Sequence, residues 1–217
     1  MSLQSKRYNY FYTSLAISLF TFIITGIFVS IYGKTESFLI INHFHNDFFD
    51  FFFTWFTYFG DILIWVPLLI YCLIKKKDLF LLFILGLVIS TLITQTLKRV
   101  IFPNELRPIL ELKNYSIHTI KGVLINHFKS FPSGHTGTAF TIALLLSFMF
   151  NHKWASYFLP MVALGVAYSR VYQGQHFVTD VFAGMFIGML SAYSALLIYK
   201  NLSKKKQPKA QNKNDPG

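Results

Sequence analysis

The sequence predicts an all-α polytopic membrane protein with six transmembrane helices in one domain, and three observations carry that prediction. Of the 217 residues, 53% are hydrophobic and 13% charged, where an ordinary soluble domain carries about 25% charge. Apolar stretches near the roughly 20 residues a helix needs to cross a bilayer recur along the chain. They are continuous rather than alternating and far longer than barrel strands, which leaves helix as the spanning element.

Tyr8 to Gly33 is the first expected span, preceded by Lys6 and Arg7. A cleaved signal peptide is the rival reading, but this run exceeds the usual apolar region of about 7–15 residues and no small-x-small cleavage site follows it. Glu36 to Phe53 mixes Asn, Asp and His with many Phe, which predicts an amphipathic helix in the outer headgroup layer. Within it His43, His45, Asp47 and Asp50 stand at spacings a metal could use, yet they match no recognised ligand pattern, and no metal is expected. Phe51 to Ile74 is the second span, interrupted by Asp61, and Leu79 to Leu97 is the third. Lys98 to Lys129 is a long outer loop, of a length usually functional or mobile in a compact protein. Ser130 to Asn151 is the fourth span and opens on a polar motif. Trp154 to Ser169, the fifth, is short unless it continues past Arg170. Val181 to Tyr199 is the sixth. Residues 1–202 therefore read as one membrane domain, and 203–217, polar and lysine-rich, as a disordered basic cytoplasmic tail. Cys72 is alone and inside a span, so disulfides and cysteine metal sites play no part.

A formal net charge of +11 would suit nucleic acid if it covered a soluble face, but six spans sort it differently. The side that holds the N-terminus receives Lys6, Arg7, Lys75, Lys76, Lys77, Lys153, Lys200, Lys204, Lys205, Lys206, Lys209 and Lys213, against only Asp78 and Asp215. The positive-inside rule then places both termini in the cytoplasm. No nucleic-acid partner is expected.

Three polar clusters interrupt the apolar chain: Lys98 to Pro108, Pro132 to Thr136 and Ser169 to Asp180. The expected topology puts all three at the outer face, and charge gathered at membrane depth is by default a functional-site hypothesis. In Phe131-Pro132-Ser133-Gly134-His135-Thr136, Pro and Ser suit the start of a helix and Gly allows close approach of a ligand. The Gly134 and His135 amides, the Ser133 hydroxyl and the helix dipole would favour phosphate oxygens, although the same residues would serve as a purely structural N-cap. His176 and Asp180 are four residues apart, so a helix starting near His176 would stack them on one face. There the carboxylate fixes the imidazole tautomer, the arrangement of nucleophilic catalysis with histidine as nucleophile. Lys98, Arg99, Arg107 and Arg170 supply positive charge, and arginine forks match phosphate oxygens; headgroup snorkelling would account for one of the first three. Arginines and helix-terminal amides can stabilise a phosphoryl-transfer site without magnesium. The chain has no carboxylate cluster for a metal and no Gly-rich nucleotide loop, so no cofactor is expected.

These residues resemble the type 2 phosphatidic acid phosphatases (PAP2), whose pattern is a Lys-to-Arg-Pro motif, a Pro-Ser-Gly-His motif and a Ser-Arg, His, Asp motif. The second and third stand here as Pro132-Ser133-Gly134-His135 and Ser169-Arg170-x5-His176-x3-Asp180. The first departs: the family places Lys seven residues before the Arg of Arg-Pro, while Lys98 precedes Arg107 by nine and Arg99 by eight. Arg107 thus carries over more safely than Lys98, and Arg99 could take the lysine's part. The resemblance implies a metal-independent lipid phosphate phosphatase with a six-helix core. His176 would attack phosphorus, Asp180 would orient it and His135 would protonate the leaving oxygen, while Lys98, Arg107, Ser133, Gly134 and Arg170 would cradle the phosphate. Vanadate-dependent haloperoxidases look like soluble relatives, and six spans argue against that chemistry. A transporter or channel for phosphorylated lipids or anions is the non-enzyme alternative, but the spans offer no basic track. The expected partner is a phosphorylated membrane lipid: undecaprenyl diphosphate, phosphatidylglycerol phosphate, phosphatidic acid or a lipid A phosphate. The expected location is a bacterial cytoplasmic membrane, with the site on its periplasmic or extracellular face.

Overall fold

Residues 3–205 are described by a computed structural model, and among them the chain is helical with no strand. Helix α1 runs Leu3–His43 and is kinked at Gly33, where φ of 71° leaves the helical region. Phe44 to Asn46 break the chain, and α2 (Asp47–Phe56) starts at Asn46, whose side chain accepts the Phe49 amide at 2.9 Å. The single amphipathic helix expected over Glu36–Phe53 is therefore corrected: this N-cap divides it, and its first half belongs to α1.

The stretch expected as the second span is also broken. After α2 come two 3-10 turns, Thr57–Gly60 and Ile62–Ile64, and then α3 (Trp65–Lys75), with the two halves bent by 55°. Asp61 sits extended at the break, and its Oδ1 accepts the Leu63 amide at 2.8 Å. Helix α4 (Lys77–Thr96) ends in a π turn, Leu97–Ile101, and α5 (Pro108–Glu111) is a short turn in the outer loop. Helix α6 spans Gly134–Phe150. Helix α7 spans Lys153–Tyr172 and so continues past Arg170, and α8 spans Val178–Lys205. The last therefore passes the tail boundary expected at Ser203; the rest of that tail, 206–217, lies outside the described residues.

Among the described residues, three helices are long and apolar enough to cross a membrane: Ser5–His43, Lys77–Ile101 and Val178–Ser203. The bent pair makes a fourth when counted as one span. Helix α6 has 17 residues, a rise of about 26 Å against a hydrocarbon core of about 30 Å. It is shorter than expected because Ser130 to Ser133 form the turn and cap before it. Ile23, Ile27, Ile31, Leu63, Leu92, Phe158 and Phe186 are more than half exposed, a surface suited to acyl chains rather than water. Apolar on almost every side, α6 is packed by α1, α4, α7 and α8.

The loop between α4 and α6 is held closed at its ends, where Leu106 pairs with Phe128, the Arg107 amide donates to His127 O and the Ser130 amide donates to Glu105 O. Its middle is anchored by Asn42, whose Nδ2 donates to His118 O and Tyr172 O at 3.0 Å each. His118 Nε2 lies 2.8 Å from Asp50 Oδ1, so Asp50, weighed above as a metal ligand, serves the loop.

Candidate active site

The site assembles where α6 and α8 begin. Ser133 caps α6, its Oγ accepting the Thr136 amide at 3.5 Å and the Thr136 hydroxyl at 3.0 Å. The first backbone bond of the helix runs from Gly137 N to Ser133 O, which leaves the Gly134 and His135 amides without an intrahelical acceptor. Helix α8 is locked onto this end, because the Ser133 amide donates to Asp180 O at 3.0 Å. Gly184 permits that contact: a Cβ there would stand 2.6 Å from Ser133 O.

His176 lies just before α8 and is 2% exposed, with Nδ1 3.3 Å from Asp180 Oδ2. The same oxygen accepts the Ser130 hydroxyl at 2.5 Å and the Phe177 amide at 3.0 Å. A carboxylate so engaged accepts from Nδ1–H, which leaves the Nε2 lone pair of His176 free. Burial holds His176 well below the usual imidazole range, and Arg107, Lys98, Arg170 and His135 push it further the same way. It is a neutral imidazole, chemically able to act as a nucleophile.

Opposite lies a cavity of about 270 Å³ whose walls include Lys98, Arg107, Gly134, His135, Arg170 and His176. Arg107 comes from the loop, where its Nη1 donates to Gln175 O at 3.0 Å and to Gln175 Oε1 at 2.7 Å. Burial lowers its pKa, partly opposed by Asp180. Arg170 comes from α7 and donates through Nη1 to Thr57 Oγ1 at 2.8 Å and Gln173 Oε1 at 3.1 Å. Its buried Nε has no acceptor among the described residues, a deficit of about 1–3 kcal/mol. Three cations around one cavity repel one another until an anion enters.

Most of the residues singled out in the sequence converge here. Lys98 faces the cavity from the π turn, where i→i+5 bonding spreads the chain and carries the longer spacing to Arg107. Arg99 is exposed, donates to Gln95 Oε1 at 2.7 Å and lines only an outer cleft. Ser133 is fully buried behind the wall as the cap, and Asp180 stands behind His176.

Some residues were missed. Gln173, Gln175, Thr57 and Ser130 hold the site in place, and none carried a sequence signal. Asp61 did carry one, as an acid inside an apolar run. Its Oδ2 lies 3.5 Å from His135 Nε2, on the cavity wall.

Fold and site together define a membrane-helical protein with a buried anion cavity and two facing histidines, the equipment of a phosphoryl-transfer enzyme. The chain belongs to the PAP2 superfamily, whose sequence profile matches residues 79–204, and it is a phosphatase of the PAP2 type. It is similar to the lipid A 4'-phosphatase of Bacteroides thetaiotaomicron, 28% identical over 185 residues that cover 80% of each chain. The crystal structure of Aquifex aeolicus LpxE superposes with a TM-score of 0.68 at 34% identity, covering 76% of this chain and 94% of that one. The transmembrane PAP2 type phosphatidylglycerolphosphate phosphatase of Bacillus subtilis has the same fold, with a TM-score of 0.57 at 23% identity over 88% of this chain and 98% of its own.

Proposed function

We propose that the chain hydrolyses a phosphate ester or diphosphate of a membrane lipid through a phosphohistidine on His176. The observation that carries this reading is a neutral His176, held by Asp180 through Nδ1, sharing one cationic cavity with His135. In the first step Nε2 of His176 attacks phosphorus, the bond from phosphorus to the lipid oxygen breaks, and that oxygen takes a proton from His135. Lys98, Arg107, Arg170 and the Gly134 and His135 amides hold the remaining phosphate oxygens, where charge spreads. In the second step water gives a proton to His135 and attacks phosphorus, the phosphorus–nitrogen bond breaks and inorganic phosphate leaves. Ser133 acts by fixing the helix start.

A lipid substrate is supported by an apolar cleft of about 320 Å³ whose lining residues neighbour those of the cavity in sequence. Asp61 and Ile62 line the cavity and Phe59 and Ile64 the cleft; Thr138 gives way to Ala139, and Arg170 to Val166. A phosphate held above would leave its chain lying there. The relatives named as a lipid A 4'-phosphatase and a phosphatidylglycerolphosphate phosphatase support the same substrate class. The proposal includes six crossings, by α1, the bent pair, α4, α6, α7 and α8, in a bacterial cytoplasmic membrane. Both termini are cytoplasmic and the site opens at the outer face, following the lysine asymmetry.

The test is phosphate release by the detergent-purified protein from phosphatidic acid, phosphatidylglycerol phosphate, undecaprenyl diphosphate and lipid A, with EDTA present. Release that survives EDTA and is lost in His176→Ala is expected. A His176→Ala protein as active as the parent would overturn the mechanism.

A further inference from the structure

Among the described residues that line the cavity, Asp61 is the one carboxylate. A negative charge in the wall of an anion site opposes phosphate binding unless it is matched by a cation that the chemistry needs. From that conflict and the geometry around it we infer that Asp61 is the positioning residue of His135, holding it as the proton donor to the leaving group; the inference rests on the phosphatase reading above.

The break in the second span is built around this contact. Asp61 uses Oδ1 to cap the following 3-10 turn at Leu63 N, 2.8 Å away, and directs Oδ2 to His135 Nε2 at 3.5 Å. Gly60 brings the turn this close: a Cβ there would stand 2.6 Å from both His135 O and Val166 Cγ1. The same turn supplies Thr57, which accepts Arg170 Nη1 at 2.8 Å, so one short segment braces both His135 and a phosphate-facing arginine. A contact of 3.5 Å without substrate is within the range that tightens when a site fills.

The two histidines then form a complementary pair. His176 is held by Asp180 through Nδ1 and reacts through Nε2, while His135 is held by Asp61 through Nε2 and reacts through Nδ1. With Nε2–H directed at the carboxylate and the charge of a bound phosphate offsetting Lys98, Arg107 and Arg170, an imidazolium His135 releases its Nδ1 proton to the departing lipid oxygen and becomes the neutral Nε2–H tautomer. In the second step Nδ1 takes a proton from the attacking water and the imidazolium is restored. The Asp61 side chain keeps the ring oriented through both steps.

The distinguishing property of a general acid is its dependence on the leaving group. An alkyl phosphate leaves as a poor alkoxide and needs the proton, whereas 4-nitrophenyl phosphate leaves as a stabilised phenolate and needs it far less. Asp61→Asn retains an oxygen for the Leu63 cap but offers an amide to Nε2. In the detergent-purified full chain, Asp61→Asn should lower kcat on a long-chain alkyl phosphate roughly 100-fold or more, within the range of general acid catalysis. On 4-nitrophenyl phosphate the fall should be under about 10-fold, and Asp61→Glu should recover part of the alkyl phosphate loss. Equal losses on both substrates, or none on either, would overturn the assignment. His176→Ala run beside it should be inactive on both; if it is active, the phosphatase reading fails and the role of Asp61 with it.

Discussion

Gly184→Ala tests whether the α6–α8 contact sets the catalytic geometry. The added methyl would stand 2.6 Å from Ser133 O and 2.9 Å from Thr136 Cβ, where ordinary contact begins near 3.4 Å, so α8 must retreat by about 0.8 Å. Ser133 O cannot swing aside, because it accepts the Gly137 amide that opens α6. The retreat therefore falls on Asp180 and His176, which α8 presents to Gly134 and His135. A misplacement near 1 Å costs on the order of 100-fold in rate, so kcat should fall by roughly 10- to 100-fold. Overpacking alone should lower stability by about 1–3 kcal/mol. The assay is phosphate release in detergent beside Gly188→Ala, where a methyl would meet Phe140 Cβ at 2.6 Å and Gly137 O at 2.7 Å, one turn deeper. Both variants should lose thermal stability alike, and Gly184→Ala should lose far more activity. Wild-type kcat in Gly184→Ala, or equal activity losses in the two, would refute the reasoning.

Lys98→Ala should reduce kcat/KM by on the order of 100-fold, since a buried charged hydrogen bond to phosphate is worth about 1.5–3 kcal/mol. Arg99→Ala should change it less than about threefold, and phosphate release from the two variants decides which residue fills the first-motif position. Because burial and neighbouring cations keep His176 unprotonated well below its usual range, its imidazole resonances should not titrate as pH falls through about 6.5 in NMR of the detergent-purified protein; a midpoint there for His176 would contradict a buried nucleophile. The sign for stability is opposite in use: the unfolded chain takes up a proton near pH 6.5 that the folded one refuses, so stability from this residue declines as pH drops below that value. Val162→Trp should fill the apolar cleft, raising KM for a long-chain lipid phosphate while sparing a short-chain one, and unchanged KM for both would remove the lipid chain from that cleft.

The polar clusters were legible because charge is costly beside lipid, so each interruption of an apolar run marked a place with a reason to exist. His176 and Asp180 could be paired from a helical spacing alone, since both lie on one local element. What required the structure is non-local. Whether Lys98 or Arg99 faces the cavity depends on the π turn, which no spacing rule for a regular helix anticipates. Whether Ser133 binds phosphate or caps a helix depends on where its hydroxyl points, and Thr136 takes it. Asp61 was visible as an anomaly, but its partner His135 belongs to a different helix, and local signals such as Gly60 and Pro67 mark a break without saying which helix the 55° bend would bring it against. The loop residues Gln175 and Ser130 are ordinary in type and became informative only through Arg107 and Asp180.

In the proposed mechanism Lys98, Arg107 and Arg170 would have two effects that belong to different moments of the reaction. Before substrate arrives they add to the burial that chiefly keeps His176 neutral, because its proton would add a charge to an already crowded cavity. When a phosphate enters, the same groups are drawn to its oxygens and their field at His176 is largely cancelled. The ring then becomes more basic at the moment when its lone pair stands next to phosphorus. Asp180 adds to this, since a carboxylate beside Nδ1 stabilises positive charge as the bond from Nε2 to phosphorus forms. The cationic cavity would thus select an anion and add to the protection from protonation that burial gives His176, and only the cations' share would be released on binding.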